Sequence, residues 1–239
     1  MIRVGKRIYN RDGTFVDPEF KGFTPIIVMT KCYKKWFPLS PYALTNERGQ
    51  IMENIFQFSK VYAKIPARTC HYSRYDDRVI WKHGAEVHVD EKGNLTKEYK
   101  KWRKKGKNNK DPVRYPVGFN YRHKCLYAIR NLKNPVKLDY IESRKKIYLH
   151  QYIKMAKKTK EFKELQRRHK SGENLLIIEV DGPHQESMDY YKKKYDVPDD
   201  FIVDSTVLVN DKNMNILLND PKHPFGHGYC LGWALLGKN

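Results

Sequence analysis

Ile51 to Tyr62 reads I-M-E-N-I-F-Q-F-S-K-V-Y, and what these residues become decides what the rest of the chain must provide. At about 3.6 residues per turn, Ile51, Ile55, Phe58 and Tyr62 fall on one apolar face, while Glu53, Gln57 and Lys60 share a second face at i, i+4 and i+7. The spacing predicts one helix over the stretch, with its apolar face buried. Phe56 and Val61 lie off the main stripe and widen the apolar surface, which would enclose the polar triplet. A carboxylate, an amide and an ammonium enclosed within reach of one another make a candidate site. A surface helix with an ordinary salt bridge satisfies the same spacing, so periodicity alone leaves both readings open.

Outward from this stretch, composition sets the bounds. The chain has 239 residues, 40% hydrophobic and 13% aromatic, which is enough to build a core and excludes a wholly disordered polymer. Its 47 Lys and Arg against 27 Asp and Glu give a formal net charge of +20, the balance of a protein that meets polyanions such as nucleic acid or nucleotides. Cys32, Cys70, Cys125 and Cys230 are scattered, with no C-x-x-C pair, so neither a disulfide framework nor a zinc knuckle is expected. No apolar run reaches signal-peptide or membrane-span length, and a reducing cytoplasm without membrane attachment is the expected setting.

Residues 1–24 are basic and broken by N-R-D-G and D-P, and read as an arm or an edge hairpin. Pro25 to Thr30 is a short β-branched run, a predicted buried strand. The following K-C-Y-K-K-W-F-P-L-S-P-Y-A-L mixes aromatics, lysines and prolines, as a pocket-lining loop or a packed connector would. Lys92 to Lys110 carries nine Lys or Arg and one Glu, a net of +8, and is predicted to be a basic loop. Within it Lys100, Lys101, Trp102, Arg103, Lys104 and Lys105 are the candidate nucleic-acid contacts, cations for phosphates and rings for bases.

Tyr140 to His169 shows the longest helical pattern, as one helix or two, stopped by Ser171-Gly172. Leu175 to Val180 is an apolar strand interrupted by Glu179, a carboxylate that is costly there unless paired or working. Asp181 stands at the strand end, where ligands bind in many α/β sheets. Thr206 to Val209 and Ile216 to Leu218 read as a hairpin around N-D-K-N. Near the end, Gly226 and Gly228 precede a short apolar helix; their N–H groups would admit a phosphate, though a plain tight turn fits as well. His83, Glu86 and His88, and His223, His227 and Cys230, have near-ligand spacings, but Pro224, Gly226 and Gly228 deny the second set a helix and zinc is not expected.

No phosphate-loop or nucleophile-elbow motif is present, so what remains is a set of carboxylates, Glu53, Glu179, Asp181 and Asp220, among aromatic and basic neighbours. Such a set suits cleavage of a sugar–base C–N bond, where a carboxylate stabilises the developing sugar cation or activates water.

With these residues on the page, the order of motifs resembles the NADAR (YbiA-like) family of N-glycosidases. Leu39-Ser40-Pro41-Tyr42 is similar to the family's L-S-N-F-Y-P element, and Met52-Glu53-Asn54-Ile55-Phe56-Gln57-Phe58-Ser59-Lys60 resembles its S-E-H-x-x-Q-x-x-K helix. Phe162 to Glu179 resembles the long helix followed by L-L-x-T-G-x-x-x-L-x-E, and Phe225-Gly226-His227-Gly228 with Leu231-Gly232 resembles the closing W-G-x-G…N-x-L-G. Pro41, Asn54 and Phe225 stand where the family has Asn, His and Trp. The resemblance implies a single compact α-rich α+β domain over residues 1–239, with short strands and loop insertions around 65–135 and 183–219. It implies a metal-independent, cofactor-free hydrolase acting on an ADP-ribose-type or ribosylated-base substrate, which the basic run would allow to be carried on DNA or RNA. Glu53 would be the catalytic carboxylate, Gln57 and Lys60 would orient ribose and phosphate, and Asp220 would be the second acid. Ser40, Tyr42, Glu179, Phe225, Gly226 and Gly228 would line the substrate. The alternative is a non-enzymatic nucleic-acid-binding protein that uses the 92–110 run.

Overall fold

A computed structural model describes residues 1–29, 34–73 and 75–238. Thr30, Cys32 and the start of the aromatic-lysine stretch lie outside the described residues. The fold is α+β, as expected, and divides into two compact units, residues 1–40 with 149–239, and residues 41–148.

The first unit is built on a four-stranded sheet in the order Thr206–Leu208, Ile2–Lys6, Leu175–Glu179, Thr24–Ile27. Ile2–Lys6 and Leu175–Glu179 run parallel in the middle, with Ile2 opposite Leu175 and Lys6 opposite Glu179; Thr24–Ile27 is parallel on one edge and Thr206–Leu208 antiparallel on the other. The Leu175–Glu179 strand is buried along its whole length, as an apolar run covered on both faces must be. Residues 1–24 are therefore not simply an arm. Their first segment is a central strand, and its cations are absorbed locally: Arg3 Nε donates to Thr206 Oγ1 at 2.7 Å with its guanidinium over the Phe20 ring, and Lys6 Nζ donates to the Gly182 carbonyl. Only Ile8–Tyr9 and Phe15–Val16 form the expected hairpin.

Helices His150–Ala156, Lys160–Lys170, Met188–Tyr195, Asp211–Asn219 and His227–Leu235 complete this unit. The predicted hairpin at 206–218 is corrected: Thr206–Leu208 is a strand, but Ile216 to Leu218 lie in the Asp211–Asn219 helix. Asn210 caps that helix by accepting the Asn213 N–H, and Met214, Leu217 and Leu218 bury one face at i, i+3 and i+4. The Lys160–Lys170 helix is capped by Thr159 and ends at Ser171-Gly172, where Gly172 takes φ +93°.

The second unit holds a three-stranded antiparallel sheet, Lys137–Leu138, Cys125–Ile129 and Lys60–Tyr62, two further antiparallel strand pairs, and the helices Met52–Gln57 and Lys97–Lys107. Its core joins Phe58, Val61, Tyr62 and Ile65 to Ile80, Trp81, Tyr99, Trp102, Val113, Val117 and Ile129. The predicted basic loop is for the most part a helix. Thr96 caps it by accepting the Tyr99 N–H, and Tyr99, Trp102, Arg103 and Gly106 bury its inner face at i, i+3, i+4 and i+7 while lysines fill the outer one. Among the described residues no helix is long and apolar enough to cross a membrane.

Candidate active site

In the second unit, the helix carrying Glu53 is shorter than its periodicity suggests. It runs only from Met52 to Gln57, and Lys60 opens the next strand. Its start is fixed by the Met52 N–H on the Leu44 carbonyl and the Glu53 N–H on the Pro41 carbonyl. The apolar positions of the predicted stripe, Ile51, Ile55, Phe58 and Tyr62, are nonetheless all buried, because the turn at Phe58-Ser59 carries the last of them into the sheet.

The polar triplet survives this change of structure. Gln57 Nε2 donates to Glu53 Oε1 at 2.9 Å, and Lys60 Nζ donates to Gln57 Oε1 at 2.8 Å. Glu53 and Gln57 are buried and Lys60 is half-buried, with its ammonium 4.7 Å from the centre of the Phe56 ring. Burial pulls the Lys60 pKa below the usual lysine range; Cys125 and Glu53 oppose that shift and the Arg114 charge adds to it. An enclosed line from carboxylate through amide to ammonium is a pre-organised polar site, since none of its groups needs to reorient to meet the next.

Tyr42 belongs to the same surroundings. Burial pushes its hydroxyl pKa far up, the Glu53 charge pushes it further, and Arg114 pulls the other way. Tyr72 and Tyr115 add smaller upward pushes on the Tyr42 hydroxyl; the Tyr42 and Tyr72 rings are 6.4 Å apart, and the Arg114 guanidinium lies 5.2 Å from the Tyr115 ring. Arg114 is a candidate that the sequence reading missed. Its only signal is a cation next to a tyrosine after D-P, and what brings it here is Asn54. The Asn54 amide donates to the carbonyls of Asn109 and Asp111 and accepts the Val113 N–H, which ties the segment before Arg114 to the Glu53 helix.

The other residues predicted to act on or line the substrate lie in the first unit and fall into separate settings. Ser40 is fully buried, its N–H on the Phe37 carbonyl. Glu179, Gly226, Gly228 and Phe225 come together, but around His227. Glu179 Oε2 is 2.8 Å from His227 Nδ1 and accepts the Gly228 N–H at 2.7 Å; Oε1 accepts the N–H groups of Val180 and Asp181. The other ring nitrogen of His227 meets the Val28 carbonyl. The expected phosphate cradle is thus corrected: the Gly228 N–H at this helix start already serves a carboxylate of the same chain. A Cβ on Gly226 would lie 2.8 Å from the Glu179 carboxyl carbon, so glycine is needed there to admit Glu179. Phe225 is buried against Tyr229.

Asp220 is fully buried and accepts from both tyrosine hydroxyls of Tyr190 and Tyr191 at 2.6 Å, from His223 Nδ1 at 2.6 Å, and from the N–H groups of Lys222 and His223. Burial raises its pKa, but the hydroxyls and N–H groups outweigh it and hold the carboxyl down at about 2. Such a group is ionised at working pH and accepts hydrogen bonds only, so it is not a proton donor.

On the basic helix, Lys100, Lys101, Lys104 and Lys105 are exposed. Trp102 and Arg103 are not: Trp102 packs against Phe58 in the core, and Arg103 donates to the carbonyls of Phe58 and Arg130 and to the Tyr99 hydroxyl. Neither is presented to a nucleic acid. No group of three or more His, Cys, Asp or Glu among the described residues is placed to hold a metal ion. No protein-family model matches the chain, and no curated protein or solved structure matches it.

Proposed function

We propose that the chain is an N-glycosidase that hydrolyses the bond between a ribose carbon and a base nitrogen in an ADP-ribose-type or ribosylated-base substrate, and that Glu53 is its working carboxylate. The observation that carries this reading is the enclosed Glu53–Gln57–Lys60 line, with Tyr42 and Arg114 beside it. Breaking the C–N bond builds positive charge on the sugar, and a carboxylate held in a water-poor site stabilises that charge and orients the incoming water. Gln57 fixes the Glu53 carboxylate, and Lys60 in turn fixes Gln57. Lys60 and Arg114 supply cations for substrate phosphates, and Tyr42, Tyr72 and Tyr115 supply rings on which a base can stack.

The test is Glu53→Gln, which preserves size and removes charge. Release of ADP-ribose from an ADP-ribosylated guanine oligonucleotide, followed by chromatography, is expected to fall at least ~100-fold, the usual cost of losing one electrostatic stabiliser of a transition state. An unchanged rate in a variant with the parental unfolding temperature would remove Glu53 from the mechanism.

A second reading, nucleic-acid binding without chemistry, is favoured by the exposed lysines of the Lys97–Lys107 helix. It expects binding to survive Glu53→Gln, with no release of ADP-ribose from the parental protein.

A further inference from the structure

Ser187 occupies the N-cap position of the Met188–Tyr195 helix, where a serine hydroxyl ordinarily accepts an N–H of the first turn, yet it makes no such bond. Its Oγ lies instead 3.2 Å from Nε2 of His223. On the opposite side of that ring, Nδ1 lies 2.6 Å from Asp220 Oδ2. The Asp220 carboxylate can only accept, and the Tyr191 hydroxyl, 3.0 Å from the same Nδ1, gives its own proton to Asp220 Oδ2 at 2.6 Å; the proton of a neutral His223 therefore sits on Nδ1, and Nε2 offers its lone pair to the Ser187 hydroxyl.

We propose that Ser187 and His223 are the nucleophile and general base of a second active site that hydrolyses carboxylic esters, with Asp220 as the residue that positions the imidazole. The three groups form a gradient from interior to solvent, as this chemistry requires. Asp220 is fully buried, the His223 side chain is 16% exposed, and Ser187 is half-buried. The ring is clamped: Tyr191 stacks on it at 5.3 Å, Tyr190 meets it edge-on at 5.3 Å, and both hydroxyls hold Asp220. The start of the helix behind Ser187 adds a partial positive charge where an alkoxide or oxyanion would develop. Lys194 Nζ at 3.0 Å from the Tyr190 hydroxyl and Lys222 Nζ at 4.4 Å from the Tyr190 ring give the rim a positive charge that favours an anionic ester.

In the reaction Ser187 Oγ bonds to the ester carbonyl carbon as its proton passes to His223 Nε2. The bond to the alkoxy oxygen then breaks, and the leaving alcohol takes that proton. Water attacks the acyl-serine, its proton passes to Nε2 and on to Ser187 Oγ, and the carboxylic acid departs. No reactant other than ester and water is consumed.

The test treats the full chain with an excess of a fluorophosphonate probe, which forms an Oγ–P bond and loses fluoride, and separately measures p-nitrophenyl acetate hydrolysis. Mass spectrometry is expected to find one phosphonyl group on the peptide containing Ser187. Ser187→Ala should abolish both the label and the hydrolysis, and His223→Gln should slow labelling at least ~100-fold. Asp220→Glu should retain more labelling than Asp220→Asn, a difference that a purely structural role would not produce if both variants unfold at the same temperature. Ser187 is small and only half-buried, so its alanine variant keeps the test valid even if a His223 or Asp220 variant fails to fold. An unlabelled Ser187 in the folded parental protein, or ester hydrolysis equal in Ser187→Ala and parent, overturns the proposal. Both outcomes are independent of the Glu53 assignment, which lies in the other unit.

Discussion

A carboxylate inserted into a strand of leucines and isoleucines costs several kcal/mol unless other groups answer its charge. At Glu179 they do: both oxygens accept hydrogen bonds, and the partner on Oε2 is an imidazole whose second nitrogen faces the Val28 carbonyl. With acceptors on both sides, His227 is stabilised as the doubly protonated cation. Burial lowers the His227 pKa, but Glu179 outweighs burial and the net shift is upward from 6.5; burial raises the Glu179 pKa, but His227 and the N–H groups outweigh it and the net shift is downward from 4.5. A depressed carboxylate contributes stability above its unfolded pKa and loses it as pH falls. A raised histidine contributes below its unfolded pKa and loses it as pH rises through the folded one. The pair is therefore fully stabilising between about pH 4.5 and 6.5, the ordinary values of the two groups. Glu179→Gln should lower unfolding free energy by about 3 kcal/mol near pH 5.5 in urea titrations, the scale for breaking a buried pair. The deficit should shrink on both sides of that window. A deficit that stays constant between about pH 4 and 9 would mean the two groups do not exist as an ion pair.

At the scale of elements, the Lys97–Lys107 helix shows how packing overrides composition. The nine cations from Lys92 to Lys110 make the stretch resemble a solvated loop, yet the residues that decide its structure are the four that bury: Tyr99, Trp102, Arg103 and Gly106. Gly106 is there because the Phe58 ring lies against the helix backbone; a Cβ at that position would come within 2.0 Å of two ring carbons. Gly to Ala within a helix ordinarily gains about 0.5–1 kcal/mol. Here Gly106→Ala is expected to cost about 2 kcal/mol net by overpacking, and a gain in unfolding free energy would overturn the contact between the Phe58 ring and the helix backbone. The same helix explains what was readable in advance. Its period was present in the sequence but masked by charge, as was the Ile2–Lys6 strand, whose arginine and lysine find partners only through residues some two hundred positions away or at the next strand end. The Glu53–Gln57–Lys60 triplet was readable because it depends on near neighbours, even though the helix stops at Gln57. Arg114 was not, because its approach depends on Asn54 holding a segment more than fifty positions along the chain. The Ser187–His223 contact was hidden for the same reason, since a separation of 36 residues leaves no periodic trace.

For the whole molecule, the formal charge of +20 overstates what a polyanion can use, because part of it is spent internally. Arg3 and Arg103 are buried on hydrogen-bond acceptors, Arg7 pairs with Asp17, and Arg168 forms two hydrogen bonds with Glu173. The exposed cations Lys100, Lys101 and Lys104 lie on one helix, and they carry the nucleic-acid expectation because Trp102 and Arg103 are buried in the core. Each phosphate they neutralise releases a counterion, so the slope of log affinity against log salt counts the contacts, at about 0.9 per contact on duplex DNA. Replacing Lys100, Lys101 and Lys104 together by Gln should reduce the steepness of that slope by about 2 to 3, read by fluorescence anisotropy on a labelled duplex between about 50 and 200 mM salt. These side chains are exposed, so the unfolding temperature should hardly move. A parental slope that persists in the triple variant would place the polyanion contact elsewhere on the chain. A reduced slope in the triple variant, together with full binding in Glu53→Gln, would assign the grip on phosphates to this helix rather than to the surroundings of Glu53.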